Sequence, residues 1–137
     1  MSKLHKRIRR EEGFTLIELL IVLVILGILL AIAVPAYLGF KDRANNRAAE
    51  SDVRAAIPSA EAFYESNGTY VGMTRTSLKS IDAGLSSNVK VATGAGAPTA
   101  STYCIYAVVG NKTWAVLGPG AQKWTNDTTC AGTAVSP

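Results

Sequence analysis

The stretch Gly13-Phe14-Thr15-Leu16-Ile17-Glu18-Leu19-Leu20 lies between a charged N-terminus and a long apolar run. From Leu19 to Val34 the sequence has no polar side chain, so Glu18 is a single carboxylate that opens an otherwise apolar segment. Placing an ionised acid in hydrocarbon costs about 2.5–3.5 kcal/mol on insertion scales. Some partner must offset that cost, and Glu18 is therefore a candidate functional residue.

The apolar run from Phe14 to Val34 is long enough to cross a bilayer. As a helix these 21 residues extend about 30 Å, and they are apolar on all sides, which suits lipid or the centre of a helix bundle. Glycine adds backbone freedom, and proline removes a helical hydrogen bond. We therefore expect the helix to bend at Gly27 and Pro35.

The opening octapeptide resembles the class III signal and apolar helix of type IV pilins and pilin-like proteins (pseudopilins). The specific match covers about residues 12–37. The resemblance implies a prepilin peptidase that cuts after Gly13 and methylates the new N-terminal residue, Phe14. It also implies that Glu18 pairs with the amine of a neighbouring subunit, and that residues 27–35 can loosen as the subunit moves from membrane to filament.

Charge and length are consistent with a leader, an anchor and one small domain. The 137-residue chain has a formal charge of +4, and five of its fourteen basic residues lie in residues 1–13. Beyond the leader nine basic and eight acidic side chains remain, so the sequence gives no nucleic-acid signal. We expect a cleaved leader at 1–13, a transmembrane and assembly helix at 14–40, and a head at 41–137.

An amphipathic helix is predicted beyond Phe40. Apolar side chains recur there at steps of three and four residues. We expect Pro58 to kink this helix, because the apolar spacing resumes beyond it; an early end at Pro58 is the alternative. Gly68 can then adopt a left-handed cap. The predicted apolar stripe consists of Ala49, Val53, Ala56, Ile57, Ala60, Phe63 and Tyr64.

The C-terminal part predicts a small antiparallel sheet. Two β-branched and aromatic segments, 102–109 and 113–117, flank a Gly110-Asn111-Lys112 turn, which indicates a hairpin. A shorter strand is expected at 88–92 and a helical turn near 78–81. The residues after Gly118-Pro119-Gly120 look like a polar tail. The expected fold class is α+β, with a long N-terminal helix, apolar and then amphipathic, packed on this sheet as in pilins.

Cys104 and Cys130 are the two cysteines, and both follow the apolar run. If that run is translocated with its N-terminus inside, they reach an oxidising compartment, which favours a disulfide. Two free buried thiols are the alternative. A cysteine-closed C-terminal loop is common in the pilin family.

Two other fates of the N-terminus compete with cleavage after Gly13. The sequence Ala31-Ile32-Ala33 follows an apolar core and matches a signal peptidase site, which would release a soluble domain that begins at Val34. Alternatively, the chain is an uncleaved single-span membrane protein. The carboxylate of Glu18 and the excess length of the apolar run both oppose a signal peptide.

Enzymatic chemistry has little support in the sequence. The one histidine, His5, lies in the expected leader, so no histidine-based triad or metal site is predicted in the mature chain. Asp82 and Asp127 stand apart, which argues against the calcium loop of secretion pseudopilins. We expect no enzyme activity, cofactor or metal. The aromatic side chains of the sheet region could form an adhesive patch, but core positions are expected for Tyr103, Tyr106, Trp114 and Trp124.

The resemblance therefore predicts a subunit of a type IV pilus-like filament. Implied partners are further copies of the chain, a prepilin peptidase, and an assembly platform with its ATPase. The monomer is expected in the inner membrane and the assembled pilus at the cell surface. Alternatives are a pseudopilin of a type II secretion or DNA-uptake system, or a membrane-tethered binding module that does not polymerise.

Overall fold

The chain forms two compact units in a computed structural model that describes residues 13–120, 122–125, 127–131 and 134–135. At 122–125 and 134–135 the description covers the backbone alone. One unit ends at Leu38 and the other runs from Gly39 to Pro137. Of the expected leader, Gly13 lies within the described residues.

Helix α1 runs from Leu16 to Asn67 and supplies residues to both units. The helix continues through Gly27, Pro35 and Pro58. The alternative in which it ends early at Pro58 is therefore wrong. Beyond Asn67, Gly68 has a φ of +68° and donates its N–H to the carbonyl of Tyr64 at 2.7 Å, as expected for a left-handed cap.

The second unit contains an antiparallel sheet whose five strands lie in chain order. Helix α2 precedes the sheet, and a short 3-10 helix at Gly94–Gly96 follows the first strand. The predicted α+β fold class, a long helix on a small antiparallel sheet, is confirmed. The elements are α2 (Arg75–Ile81), β1 (Val89–Val91), β2 (Tyr103–Val109), β3 (Lys112–Gly118), β4 (Gln122–Thr125) and β5 (Ala134–Val135).

Strands β4 and β5 correct the interpretation of the C-terminus as a polar tail. Strand β4 pairs with β3, so that Trp114 lies opposite Thr125 and Leu117 opposite Gln122. Strand β5 pairs with β4. Backbone hydrogen bonds to a strand already in place stabilise these short segments, and such bonds leave little trace in the side-chain pattern.

The β2–β3 hairpin is confirmed, with a turn one residue shorter than predicted. Val109 lies opposite Lys112, so Lys112 begins β3 and the turn consists of Gly110 and Asn111. Gly110 has a φ of +59°, a conformation that glycine adopts without steric cost.

The main core lies between α1 and one face of the sheet. On the helix, Ala49, Val53, Ala56 and Ala60 are at most 1% exposed, as the predicted stripe requires. On β2, every second residue from Tyr103 joins this core, which confirms the predicted face. Four further core residues come from the loop after α1, from α2 and from the approach to β1: Tyr70, Met73, Leu78 and Leu85.

Three polar side chains of α1 add hydrogen bonds to this packing. Asn46 Oδ1 accepts a hydrogen bond from Trp114 Nε1 at 2.7 Å. Asp52 Oδ2 accepts bonds from Ser86 Oγ at 3.0 Å and from Asn88 Nδ2 at 2.8 Å. These bonds join α1 to β3 and to the segment before β1, and fix how the helix is rotated on the sheet.

The third side chain, Glu61, accepts hydrogen bonds from two tyrosines. Its Oε2 binds the Tyr70 hydroxyl at 2.8 Å, and its Oε1 binds the Tyr103 hydroxyl at 2.9 Å. Burial and the neighbouring carboxylate raise the pKa of Tyr70 to about 12, and they raise the pKa of Tyr103 as well. Both hydroxyls therefore stay protonated and donate to Glu61 at neutral pH.

Candidate assembly and anchoring segment

Helix α1 begins with a capping box formed by Thr15 and Glu18. The Thr15 backbone N–H and hydroxyl donate to Glu18 Oε2 at 2.9 and 3.0 Å. In return, Glu18 N–H donates to Thr15 Oγ1 at 3.3 Å. Thr15 and Glu18 form the Thr-x-x-Glu pattern that is the sequence signature of this motif. The sequence pattern predicts an assembly role for Glu18, and this local capping role was not among the predictions.

Large apolar side chains cover the first part of α1 and remain exposed. Those from Phe14 to Phe40 are between 48% and 87% exposed. The helix is long and apolar enough to cross a membrane by length and composition, and its most apolar stretch is not buried within the protein. This surface needs lipid or other protein chains to cover it.

Gly13 and Phe14 are exposed in the described part of the chain. A Cβ built on Gly13 would meet no atom within 4 Å, and the Phe14 side chain is 85% exposed. Gly27 likewise faces open space. Cleavage and methylation at Gly13 and Phe14, and a bend at Gly27 and Pro35, remain predictions.

Cys104 and Cys130 form a disulfide, with their Cα atoms 5.9 Å apart. The bridge lies on the sheet face opposite α1, in a second buried cluster with Ala92 and Ala115. It connects β2 to the segment after β4 and covers a face that would otherwise lack a hydrophobic partner. The alternative of two free thiols is therefore wrong.

The aromatic residues lie mainly in the core rather than in an adhesive patch. Tyr103 is 1% exposed and Trp114 is 8% exposed, both in the main core. Tyr106 is half-buried against the disulfide cluster. The side chain of Trp124 lies outside the described residues. Within the part of the chain that the structure describes, no three His, Cys, Asp or Glu side chains are grouped as a metal site.

Comparisons with known proteins find similarity in the N-terminal part of the chain. Residues 8–34 match the family model described as the prokaryotic N-terminal methylation motif. Over 62 residues the chain is 40% identical to the type II secretion system core protein G of Aeromonas hydrophila, covering 45% of this chain and 43% of that protein.

Two type IV pilins are also similar. Identity is 53% over 54 residues to the narrow pilus major component PilA5 of Thermus thermophilus, covering 39% of this chain and 46% of that protein. Identity to the type IV major pilin protein PilA of Myxococcus xanthus is 39% over 61 residues, which cover 44% of this chain and 28% of that protein. The matched segments thus span about half or less of each relative. The N-terminal segment of this chain therefore carries the prokaryotic N-terminal methylation motif, and it is similar to type IV pilins and to type II secretion proteins, as the resemblance of residues 13–20 predicted.

Proposed function

We propose that this chain is the structural subunit of a type IV pilus-like filament. The observation that supports it is an exposed apolar helix that begins with one carboxylate, inside a segment that matches the methylation motif. In this proposal residues 1–13 are a leader, 14–40 form the membrane and assembly helix, and 41–137 form the head. The subunit acts by polymerisation rather than by catalysis.

Processing after Gly13 would create a cation close to Glu18. Hydrolysis leaves a carboxylate on Gly13 and a free α-amine on Phe14, four residues from Glu18 and about one helical turn away. N-methylation converts this group to a secondary amine, which still carries a proton and a positive charge at neutral pH. The modified N-terminus therefore remains a suitable partner for a carboxylate.

Glu18 has an oxygen available for the amine of a neighbouring subunit. Its Oε2 accepts both bonds from Thr15, while Oε1 accepts none from the described residues. A carboxylate offers about four acceptor positions, so Oε1 can bind the Phe14 amine of an incoming subunit without loss of the cap. In a buried bundle, loss of one partner of such a pair costs about 3–5 kcal/mol. The pair would set the axial register between neighbouring helices.

The proposal implies a defined order of partners. The leader's basic residues would hold the N-terminus in the cytoplasm by the positive-inside rule, and a prepilin peptidase would then process it in the inner membrane. An assembly platform with its ATPase would add the subunit to copies of itself, which brings it to the cell surface. Each step before assembly needs the apolar helix in lipid.

Two substitutions separate the assembly role of Glu18 from its capping role. Glu18→Ala removes both roles, whereas Thr15→Val removes the two hydroxyl bonds of the cap, leaves the backbone N–H bond of residue 15 in place, and keeps the carboxylate. We expect both variants to be processed to a chain that starts at methylated Phe14, as measured by intact mass. Filaments should be lost in Glu18→Ala and retained in Thr15→Val.

Other results would contradict the proposal. Normal filament yield from Glu18→Ala would exclude the ion pair, and equal loss in both variants would assign Glu18 to helix capping alone. A mature mass that starts at Val34 would indicate a secreted domain. A processed chain that stays monomeric in membranes would indicate a tethered binding module.

A pseudopilin is the second candidate, because relatives of similar identity are named type II secretion system core protein G. Deletion of the gene would distinguish the two. A secretion or DNA-uptake defect without loss of surface filaments would favour the pseudopilin, and loss of filaments with normal secretion would favour the pilin.

A further inference from the structure

Basic side chains follow directly on the apolar part of α1. Phe40 is the last large apolar residue of that part, and Lys41, Arg43 and Arg47 come within the next two helical turns. At 1.5 Å per residue, Arg43 lies about 4.5 Å further along the helix than Phe40. In a subunit anchored through residues 14–40, these cations lie at the level of the lipid headgroups.

Their position opposes the usual charge distribution around membrane helices. If the leader stays in the cytoplasm, Arg43 and Arg47 lie on the translocated side, where lysine and arginine are normally scarce. We therefore expect these two arginines to have an anionic partner on the translocated side.

An open pocket of about 410 Å³ lies beside these arginines in the second unit. It is lined by Asp42, Arg43, Asn46, Arg47, Glu50 and Lys112. Both carboxylates of the lining pair with other cations: Asp42 Oδ2 lies 3.4 Å from Lys112 Nζ, and Glu50 binds Arg54.

Arg43 and Arg47 form no ion pair with a carboxylate in the described part of the chain. Both arginines are exposed residues. They are four positions apart on α1, which places their Cβ atoms about 5–6 Å from each other on one face. Two guanidinium groups at this spacing can converge on one phosphate, which accepts forked hydrogen bonds from arginine.

We propose that Arg43 and Arg47 bind the phosphate of an anionic phospholipid in the leaflet where α1 emerges from the membrane. The inference rests on the proposed membrane anchoring of residues 14–40. Its consequence is a subunit held at a defined depth, with the charged end of the anchor fixed at the headgroups until the subunit is extracted.

The test uses the full chain in a neutral detergent with equal amounts of phosphatidylglycerol and phosphatidylcholine, and native mass spectrometry counts the bound lipids. We expect selective phosphatidylglycerol binding to weaken about fivefold for each of Arg43→Gln and Arg47→Gln. Lys79→Gln is the control, because Lys79 is an exposed cation on α2 that neither lines the pocket nor takes part in the ion pairs of its carboxylates.

Each outcome has a separate meaning. Equal phosphatidylglycerol binding by the two pocket variants and wild type would overturn the inference, as would an equal loss in Lys79→Gln. Displacement of the lipid by an equal concentration of inorganic phosphate would show a free-anion site instead. Flotation with phosphatidylcholine vesicles tests anchoring on its own: failure to float would count against the proposed function, whereas flotation without lipid selectivity would overturn this inference alone.

Discussion

Replacing Glu61 by alanine should strongly destabilise the second unit. The substitution removes the acceptor of both the Tyr70 and Tyr103 hydroxyls, which lie 2.8 and 2.9 Å from the carboxylate. Tyr70 is 2% exposed and Tyr103 is 1% exposed, so water cannot readily replace the lost acceptor. Hydrogen bonds to a charged group contribute about 1.5–3 kcal/mol each.

Because Glu61 itself is half-buried, we take the lower end of that range for each bond. The expected loss in the free energy of unfolding is therefore about 3 kcal/mol for the two bonds together. For a unit of this size, that loss lowers the unfolding midpoint by about 12–24 °C. Near-ultraviolet circular dichroism of the full chain in detergent micelles would report it, since Tyr103 and Trp114 lie in the core.

Glu65→Ala is the matched control. It removes the same charge one helical turn further along α1, from an exposed residue, and should change stability by no more than about 0.5 kcal/mol. Tyr103→Phe should cost less than Glu61→Ala, and it should add little when combined with Glu61→Ala, because the two share one interaction. Equal midpoints for Glu61→Ala and Glu65→Ala, or additive effects of Glu61→Ala and Tyr103→Phe, would refute the reasoning.

Three further predictions concern the same unit. Raised pKa values in the folded state mean that Tyr70 and Tyr103 contribute stability that is fully present below pH 10 and is lost as the pH rises towards 12, so unfolding midpoints should fall over that range. Because burial is the largest cause of the raised pKa values and Glu61 the next, the fall should persist in reduced form in Glu61→Ala, and a midpoint that stays constant up to pH 12 in the wild type would contradict the prediction. Reduction of the disulfide, which joins positions 26 residues apart, should lower the free energy of unfolding by about 3.5 kcal/mol, because the closed loop restricts the unfolded chain. Unfolding midpoints with and without reductant measure this loss, and a change below about 1 kcal/mol would contradict the prediction. Gly118→Ala should destabilise by about 1–3 kcal/mol, because its Cβ would overlap the Tyr103 ring, whereas the Cβ of Gly120→Ala meets open space and that variant should be neutral in the same measurement.

Periodicity predicted the parts of this fold in which burial decides structure. The stripe from Ala49 to Ala60 and the alternation along β2 follow directly from one buried helix face and one buried sheet face. The stripe missed Ser59, which is 4% exposed, because a polar residue gives no apolar signal. It also included Tyr64, which is exposed but contacts the ring of Tyr70 at a centroid distance of 4.6 Å.

The polar bonds of α1 could not be predicted in the same way. Asn46 and Trp114 are 68 residues apart, and Glu61 and Tyr103 are 42 apart. Their pairing depends on how far the helix is shifted and rotated on the sheet, and no local pattern records that. The cap at Thr15 differs, because its two residues are three apart and the motif is visible in the sequence.

The contrast between the two parts of α1 indicates what selects the assembled state. The second part buries its apolar stripe against the chain's own sheet, whereas the first part leaves side chains such as Leu16 and Ile32 at 87% and 72% exposed. In the proposed pathway that surface moves from lipid into a bundle of helices. Lipid tails are as apolar as leucine, so the hydrophobic term changes little in this transfer. Packing and polar contacts must then favour the filament. In the apolar segment, the polar contact that can do so is the ion pair between Glu18 and the amine that cleavage would create.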